Sequence, residues 1–310
     1  MITIYKSTDV GLSIIDELVP GCWIYVIDPT TDEIEYLTAQ GLPQDFLTFP
    51  LDIDERPRIE REDDGTLLVL MRIPFFEGNK SDVPYSTIPL GVIQREEYFV
   101  TVCKRANPVL KDFISGKNKG LSTGKRNRFL LRILLQTASL YLNYLREINK
   151  MVDMIEDQLQ KSMKNKEVLE LLKYQKSLVY FTTALKGNEL MLRRLQATPF
   201  FRQFPDDEDL LEDVITETQQ AIEMTNISSN ILAGMMDAFA SIISNNLNVV
   251  MKFLASITIV LSLPTIITSF FGMNVSFPIG GAPWHYLLIL AVCVVITMLV
   301  VFVFWKRDWF

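Results

Sequence analysis

Between Phe253 and Trp305 the chain carries no Asp, Glu, Lys or Arg, and that gap limits what this end of the protein can become. Within it lie two apolar stretches, from about Val249 to Phe271 and from about Tyr286 to Trp305. Each is about 20 residues, which at a rise of about 1.5 Å per residue matches a hydrocarbon core about 30 Å thick. The competing reading, a helix pair buried in a large soluble core, fits poorly with so long a run free of charge. The link from Gly272 to His285 is too short for anything but a tight hairpin. Lys252 stands at the entry of the first span and Lys306 and Arg307 follow the second, while the link has no Lys or Arg. The positive-inside tendency therefore predicts cytoplasmic N and C termini and an outward-facing loop. Trp284, Tyr286, Trp305 and Trp309 fall where an aromatic belt is expected. The chain is thus expected to be an integral protein of the cytoplasmic membrane, in contact with lipid.

The rest of the chain is a different material. Setting aside Lys252, Lys306, Arg307 and Asp308 leaves 27 basic against 36 acidic residues of the chain's 30 and 37. So acidic a balance argues against nucleic acid as a partner held by bulk positive charge. Cys22, Cys103 and Cys293 show neither paired spacing nor a metal knuckle, which suits a reducing compartment for the soluble part. The first residues lack the basic segment and apolar core of a signal peptide.

The early chain alternates β-rich runs with polar turns. Cys22–Asp28, Thr66–Ile73, Ile88–Ile93 and Tyr98–Cys103 are expected strands, with a short capped helix beginning at Thr31. A small α/β domain over residues 1–115 follows. Residues 116–205 are expected to hold a polar linker and a helical hairpin, the helices running from Lys125 and over about Lys166–Gln196. The linker tempts one toward a phosphate-binding loop, but Lys119 stands where the glycine five residues before Gly124 should be. A helix from about Asp206 to Phe271, about 100 Å long, would then form a stalk (206–271) that becomes the first span (about 249–271). The loop 272–285, the second span 286–305 and a basic tail 306–310 complete the order. The acidic start Asp206, Asp207, Glu208 and Asp209 complements a helix dipole, or, with a partner brought from elsewhere, offers a divalent-cation surface.

At helical spacing the first span presents Asn248, Met251, Ala255, Thr258, Ser262, Thr265 and Ser269 on one face. Such a stripe lines water or packs closely against another helix. Two spans cannot enclose a pore, so a conducting stripe implies a homo-oligomer about an axis. Pro264 removes a donor to the carbonyl of Val260.

Directly after this span comes Gly272-Met273-Asn274. In that position, behind a long stalk, it resembles the signature of the CorA family of magnesium channels. Asn248 through Leu254, the proline in the span, the basic tail and the stretch Asp54–Glu60 around Arg56-Pro57-Arg58 are similar to that family too. The resemblance implies a funnel-shaped homopentamer with an α/β cytoplasmic domain, a helical stalk and two C-terminal spans. It implies that Gly272, Met273 and Asn274 form a selectivity ring for Mg²⁺, with Co²⁺ and Ni²⁺ as further passengers. It places pore positions at Asn248 and Met251, and offers Leu254 as an alternative to Ala255 on the pore face. Met251 and Leu254 would gate by dewetting. Asp213 matches a stalk-side acid at which Mg²⁺ closes the family's channels, so Mg²⁺ would be regulatory as well as transported. The usual partner acid is replaced by Leu47–Leu51, leaving Asp52 and Asp54 as nearby substitutes. The outer loop also lacks the acidic residue the family often carries.

The leading expectation is Mg²⁺ influx through a divalent-cation channel. A zinc transporter or efflux protein of the same architecture remains an alternative, as does a membrane-anchored binding or scaffold protein. An enzyme is not expected: His285 is the lone histidine and no nucleophile–base pairing stands out.

Overall fold

The computed structural model describes residues 1–8, 11–115, 122–162, 165–198, 205–273, 284–307 and 309. It divides into two compact units, Met1–Gly234 and Met235–Phe310. The first is built on one sheet of seven strands: β1 Ile2–Thr8, β2 Gly11–Ile15, β3 Cys22–Ile27, β4 Arg58–Arg61, β5 Leu67–Phe76, β6 Tyr85–Gln94 and β7 Tyr98–Cys103. Their order is β2-β1-β3-β7-β6-β5-β4. Strands β3 and β7 run parallel, pairing Cys22 with Tyr98 through Ile27 with Cys103, and the other neighbours are antiparallel.

Period-2 alternation sends the two halves of each central strand into different cores. From β3, Trp23 and Tyr25 join Val69, Met71, Leu90, Val92 and Phe99 on one face, while Cys22, Ile24 and Val26 join Leu68, Ile93, Val100 and Val102 on the other. The second face is covered by α1 (Thr31–Ala39) through Leu37 and by α2 (Gln44–Thr48) through Phe46 and Leu47. Helix α1 starts with a capping box in which Thr30 and Glu33 satisfy each other's backbone N–H groups. A 3-10 turn, Phe49–Leu51, follows α2, and the Pro50 ring fills the place a Cβ on Gly91 of β6 would take. The first face is covered by α3 (Pro108–Ile114), α4 (Arg126–Ser162), α5 (Asn165–Ala197) and the start of α6 (Pro205–Phe271). Phe129, Leu130, Ile133 and Leu134 of α4, Met191, Leu192 and Leu195 of α5, and Leu211 and Val214 of α6 complete this core. One hydrophobic core therefore joins the 1–115 segment to the helical pair that follows it.

Trp23 anchors this packing. Its ring meets Phe129 edge-on at 5.0 Å, and its indole N–H donates to the Thr101 hydroxyl at 2.9 Å inside the core. The expected strands and long helices lie within two or three residues of β3, β5, β6, β7, α4, α5 and α6. Strands β1, β2 and β4 and the short helices α2 and α3 were not expected. Strands β2 and β4 sit at the two ends of the sheet and are mostly exposed or half-buried, so their apolar alternation is weak.

The second unit holds the rest of α6 and α7 (His285–Lys306). Both are long and apolar enough to cross a membrane, with windows of mean hydropathy 2.0 in α6 and 3.4 in α7. Most described side chains along them are exposed and nearly all the others half-buried. Phe239, Ser256 and Cys293 are the buried positions among the described residues of this unit. Small side chains such as Ser256 and Cys293 are the kind that let membrane helices approach closely.

Candidate functional site

Every expected pore-face position from Asn248 to Ser269 lies on the continuous helix α6. In the single chain that face is uncovered: Met251 is 58% and Leu254 53% exposed, and Asn248, Ala255, Thr258, Thr265 and Ser269 are exposed too, with Ser262 half-buried. The buried residue of this stretch, Ser256, sits one position beyond Ala255 and so about 100° around the helix from it. Covering is thus directed to a different side of α6 from the stripe.

Three of the four hydroxyls of the stripe share one arrangement. Thr258 Oγ1 donates to the Leu254 carbonyl at 2.8 Å, Thr265 Oγ1 to the Leu261 carbonyl at 3.1 Å, and Ser262 Oγ to the Thr258 carbonyl. A hydroxyl has one donor and two acceptor lone pairs. With each donor spent on the carbonyl four residues back, what these groups offer outward is acceptor character. An acceptor-lined face suits waters whose hydrogens point away from a cation they solvate. Pro264 lies inside this helix, where it withholds an N–H from Val260, and Thr268 donates to the Pro264 carbonyl at 2.9 Å.

The helix ends at Phe271. Gly272 and Met273 form the turn that follows, the Gly272 N–H donating to the Thr268 carbonyl at 2.9 Å and that of Met273 to the Phe270 carbonyl at 3.4 Å. A Cβ at Gly272 would stand 3.2 Å from the Thr268 carbonyl oxygen, so the turn is tight enough to favour glycine. Asn274 lies outside the described residues.

The expected switch acids are all at the surface of the first unit. Asp213 is exposed on α6, and Asp52 and Asp54 are exposed on the turn after the 3-10 segment, where Asp52 Oδ1 accepts the Asp54 N–H at 3.0 Å. Among the described residues no group of three or more His, Cys, Asp or Glu gathers to hold a metal, so these acids form no such cluster within one chain. Their turn is nonetheless fixed. Arg72 of β5 donates to the carbonyls of Ile53 (2.8 Å) and Glu55 (2.9 Å) and to the Thr87 hydroxyl (2.9 Å). Arg58 pairs with Glu55 and Glu60 and lies over the Phe49 ring, while Pro57 packs where Gly187 of α5 has no side chain. Arg72 carried no signal in the sequence, because its partners are backbone carbonyls brought near by the sheet.

The acidic start of α6 does more than face the helix dipole. Asp207 is buried and accepts from Arg128 Nε of α4 at 2.7 Å, and the exposed Asp206 accepts from the same guanidinium at 3.1 Å. Hydrogen bonds donated to Asp207 and then to Asp206 push the Arg128 pKa above its ordinary value. This acid is therefore committed to an ion pair within the fold.

A family model described as CorA-like Mg2+ transporter protein matches residues 21–307. The cobalt/magnesium transport protein CorA of Methanocaldococcus jannaschii is 29% identical over 293 residues, covering 93% of this chain and 90% of that one. The complete structure of the CorA magnesium transporter from the same organism superimposes with a TM-score of 0.86 at 26% identity, covering 100% of this chain and 99% of that one. The ZntB cytoplasmic domain from Vibrio parahaemolyticus matches with a TM-score of 0.61 at 12% identity, covering 79% of this chain and 97% of its own, a likeness of fold alone.

Proposed function

The chain belongs to the CorA-like Mg2+ transporter family, and from that premise we propose that it is a channel passing hydrated Mg²⁺ into the cytoplasm along the axis of a homopentamer. Copies of α6 would surround the pore, with Asn248, Met251, Leu254, Ala255, Thr258, Ser262, Thr265 and Ser269 facing it. The observation that supports this reading is the set of three stripe hydroxyls, those of Thr258, Ser262 and Thr265, whose donors are turned back into the helix. Mg²⁺ sheds its waters reluctantly, so a conducting wall does best to accept hydrogen bonds from those waters rather than replace them. Gly272, Met273 and Asn274 at the mouth would select the hydrated ion through neutral amide and carbonyl oxygens. Such contacts bear on water more than on metal, which leaves room for Co²⁺ and Ni²⁺. Entry is driven by an inside-negative potential, about 2.3 kcal/mol per charge per 100 mV. Both termini would lie in the cytoplasm, a reading supported by Lys252, Lys306 and Arg307 beside the spans and by a link without Lys or Arg.

Closure is proposed to occur when cytoplasmic Mg²⁺ bridges Asp213 of one copy to the Asp52–Asp54 turn of the next. The rigid anchoring of that turn by Arg72 supports a role that depends on position.

Flux into vesicles reconstituted with the native chain and with Asn274→Ala tests the conduction reading. The native chain is expected to admit Mg²⁺ under an inside-negative potential and the variant to lose selectivity or flux. Zn²⁺ flux coupled to a proton gradient, with no Mg²⁺ flux, would overturn it, and so would a variant indistinguishable from the native chain. In the same vesicles Asp213→Ala should abolish closure by Mg²⁺ on the cytoplasmic side; unchanged closure would remove that acid from the switch.

A further inference from the structure

Strand β4 begins at Arg58, which is matched with Leu70, so the pairing of β4 with β5 stops there. Strand β5 runs on to Phe76 with β6 on its other side. The edge that β4 leaves would carry backbone groups without partners, a costly arrangement inside a fold. At Arg72, two residues past Leu70, a side chain fills the gap. Asn188 of α5 accepts the Arg72 N–H on Oδ1 at 2.9 Å and donates from Nδ2 to the Arg72 carbonyl at 2.8 Å. A carboxamide carries the donor and acceptor of a peptide, so Asn188 stands in for the missing strand residue. Opposite Arg72 on β6 is Pro89, which has no N–H to give. The Arg72 carbonyl also accepts from the Tyr141 hydroxyl of α4 at 3.0 Å. Asn188 and Tyr141 are both buried, and burial pushes the Tyr141 phenol above its ordinary range, so it stays a donor.

The Arg72 side chain starts from this clamp and is held at its tip as well. Its Nε donates to the Thr87 hydroxyl at 2.9 Å and one terminal nitrogen to the Thr87 carbonyl at 2.8 Å. The other terminal nitrogen donates to the carbonyls of Ile53 and Glu55, which bracket Asp54 in the chain. With its origin fixed by Asn188 and Tyr141 and its planar fork fixed by Thr87, the remaining donors are aimed at one place. The next residue of α5 reaches the same segment directly. A Cβ at Gly187 would stand 2.9 Å from Cγ of Pro57, so the Pro57 ring lies against the bare backbone beside Asn188. One short stretch of α5, Gly187 and Asn188, thus holds the Asp52–Pro57 segment twice, once by packing and once through Arg72.

We propose that Asn188 is a positioning residue for the acids of the closing switch: by gripping the Arg72 peptide it keeps the Arg72 guanidinium on the carbonyls either side of Asp54. The Asp52–Asp54 turn then keeps its place only while α5 stays seated on β5. Mg²⁺ accepts ligands in a near-ideal octahedron at short range, so the placing of a bridging carboxylate decides how well it binds. That role rests on the closure reading given above. The link from α5 to the turn does not, because it stands on the hydrogen bonds alone.

Hydrogen exchange of the full chain in detergent, read on peptides covering residues 52–56, tests the link. Asn188→Ala is expected to speed exchange there about tenfold, the scale of one lost hydrogen bond, although Asn188 touches none of those residues. Tyr141→Phe, which keeps the ring and removes one hydroxyl, should act the same way by about threefold. Thr101→Val, which disturbs the core at Trp23 instead, should leave the turn unchanged. In an Arg72→Ala background Asn188→Ala should add nothing at the turn. Flux into reconstituted vesicles tests the role: Asn188→Ala should raise the Mg²⁺ concentration for half-closure about tenfold and leave flux without cytoplasmic Mg²⁺ unchanged. Unchanged exchange at the turn in Asn188→Ala and Tyr141→Phe, an equal rise in Thr101→Val, or full additivity with Arg72→Ala would overturn the link. An unshifted half-closure in a channel that Asp213→Ala still frees from closure would overturn the positioning role. A native chain that Mg²⁺ never closes would overturn that role together with the switch reading, and exchange at the turn would still decide the link.

Discussion

Replacing Asp207 by Ala removes the acid through which the first turn of α6 is tied to α4. A fully exposed ion pair contributes at most about 1 kcal/mol, whereas breaking a fully buried one costs about 3–5 kcal/mol. Here the Asp207 side chain is 7% exposed and that of Arg128 is 27% exposed, with Nε and Oδ1 2.7 Å apart. Asp206 remains as a weaker partner for the stranded guanidinium, so the expected cost is about 2 kcal/mol. Asp206 itself is 80% exposed in its pairing with Arg128. Asp206→Ala should therefore cost less than about 0.5 kcal/mol. Hydrogen exchange of the full chain, read on peptides covering the first three turns of α6, separates the two. Asp207→Ala is expected to open this region about 30-fold more often, the equivalent of 2 kcal/mol, and Asp206→Ala to leave it nearly unchanged. Combining Asp207→Ala with Arg128→Met should cost less than the sum of the single changes, because no unpaired charge is then left. Equal exchange in both single variants, or strict additivity in the double, would refute the view that a buried ion pair fixes the start of this helix.

Three further outcomes follow from the packing of the first unit. Gly91→Ala forces a methyl into the space of the Pro50 ring and should cost about 1–3 kcal/mol in denaturant unfolding. Thr101→Val leaves the Trp23 indole N–H unpaired in the core, an expected loss of about 1–3 kcal/mol with a shift in Trp23 emission. Burial pushes the Cys103 thiol up to about 11, so at pH 8 only about 0.1% is thiolate, and the native chain should resist alkylation there until it is unfolded. Rapid labelling of Cys103 in the native state would contradict that burial.

Much of this was legible in the residues because it depends on local order along the chain. The absence of charge from Phe253 to Trp305 sets two apolar helices, since only a helix satisfies its backbone within such a segment. The three-and-four spacing of α4 names its buried face, and the unbroken apolar runs of β3 and β7 mark strands buried on both faces. The stripe from Asn248 to Ser269 is visible for the same reason, because helical geometry alone decides which side chains share a side. What needed the tertiary structure are contacts between residues far apart in sequence. Nothing local says that Arg128 would reach Asp207, that Arg72 would hold the carbonyls of Ile53 and Glu55, or that Asn188 would grip the Arg72 peptide. The end strands β2 and β4 were hidden too, because a half-exposed strand needs little apolar alternation and takes its place from its neighbour's backbone hydrogen bonds. Periodicity determines which face of an element is buried; only the packed fold decides which distant charge or carbonyl meets it there, because desolvation makes each buried polar group find a partner wherever the chain brings one.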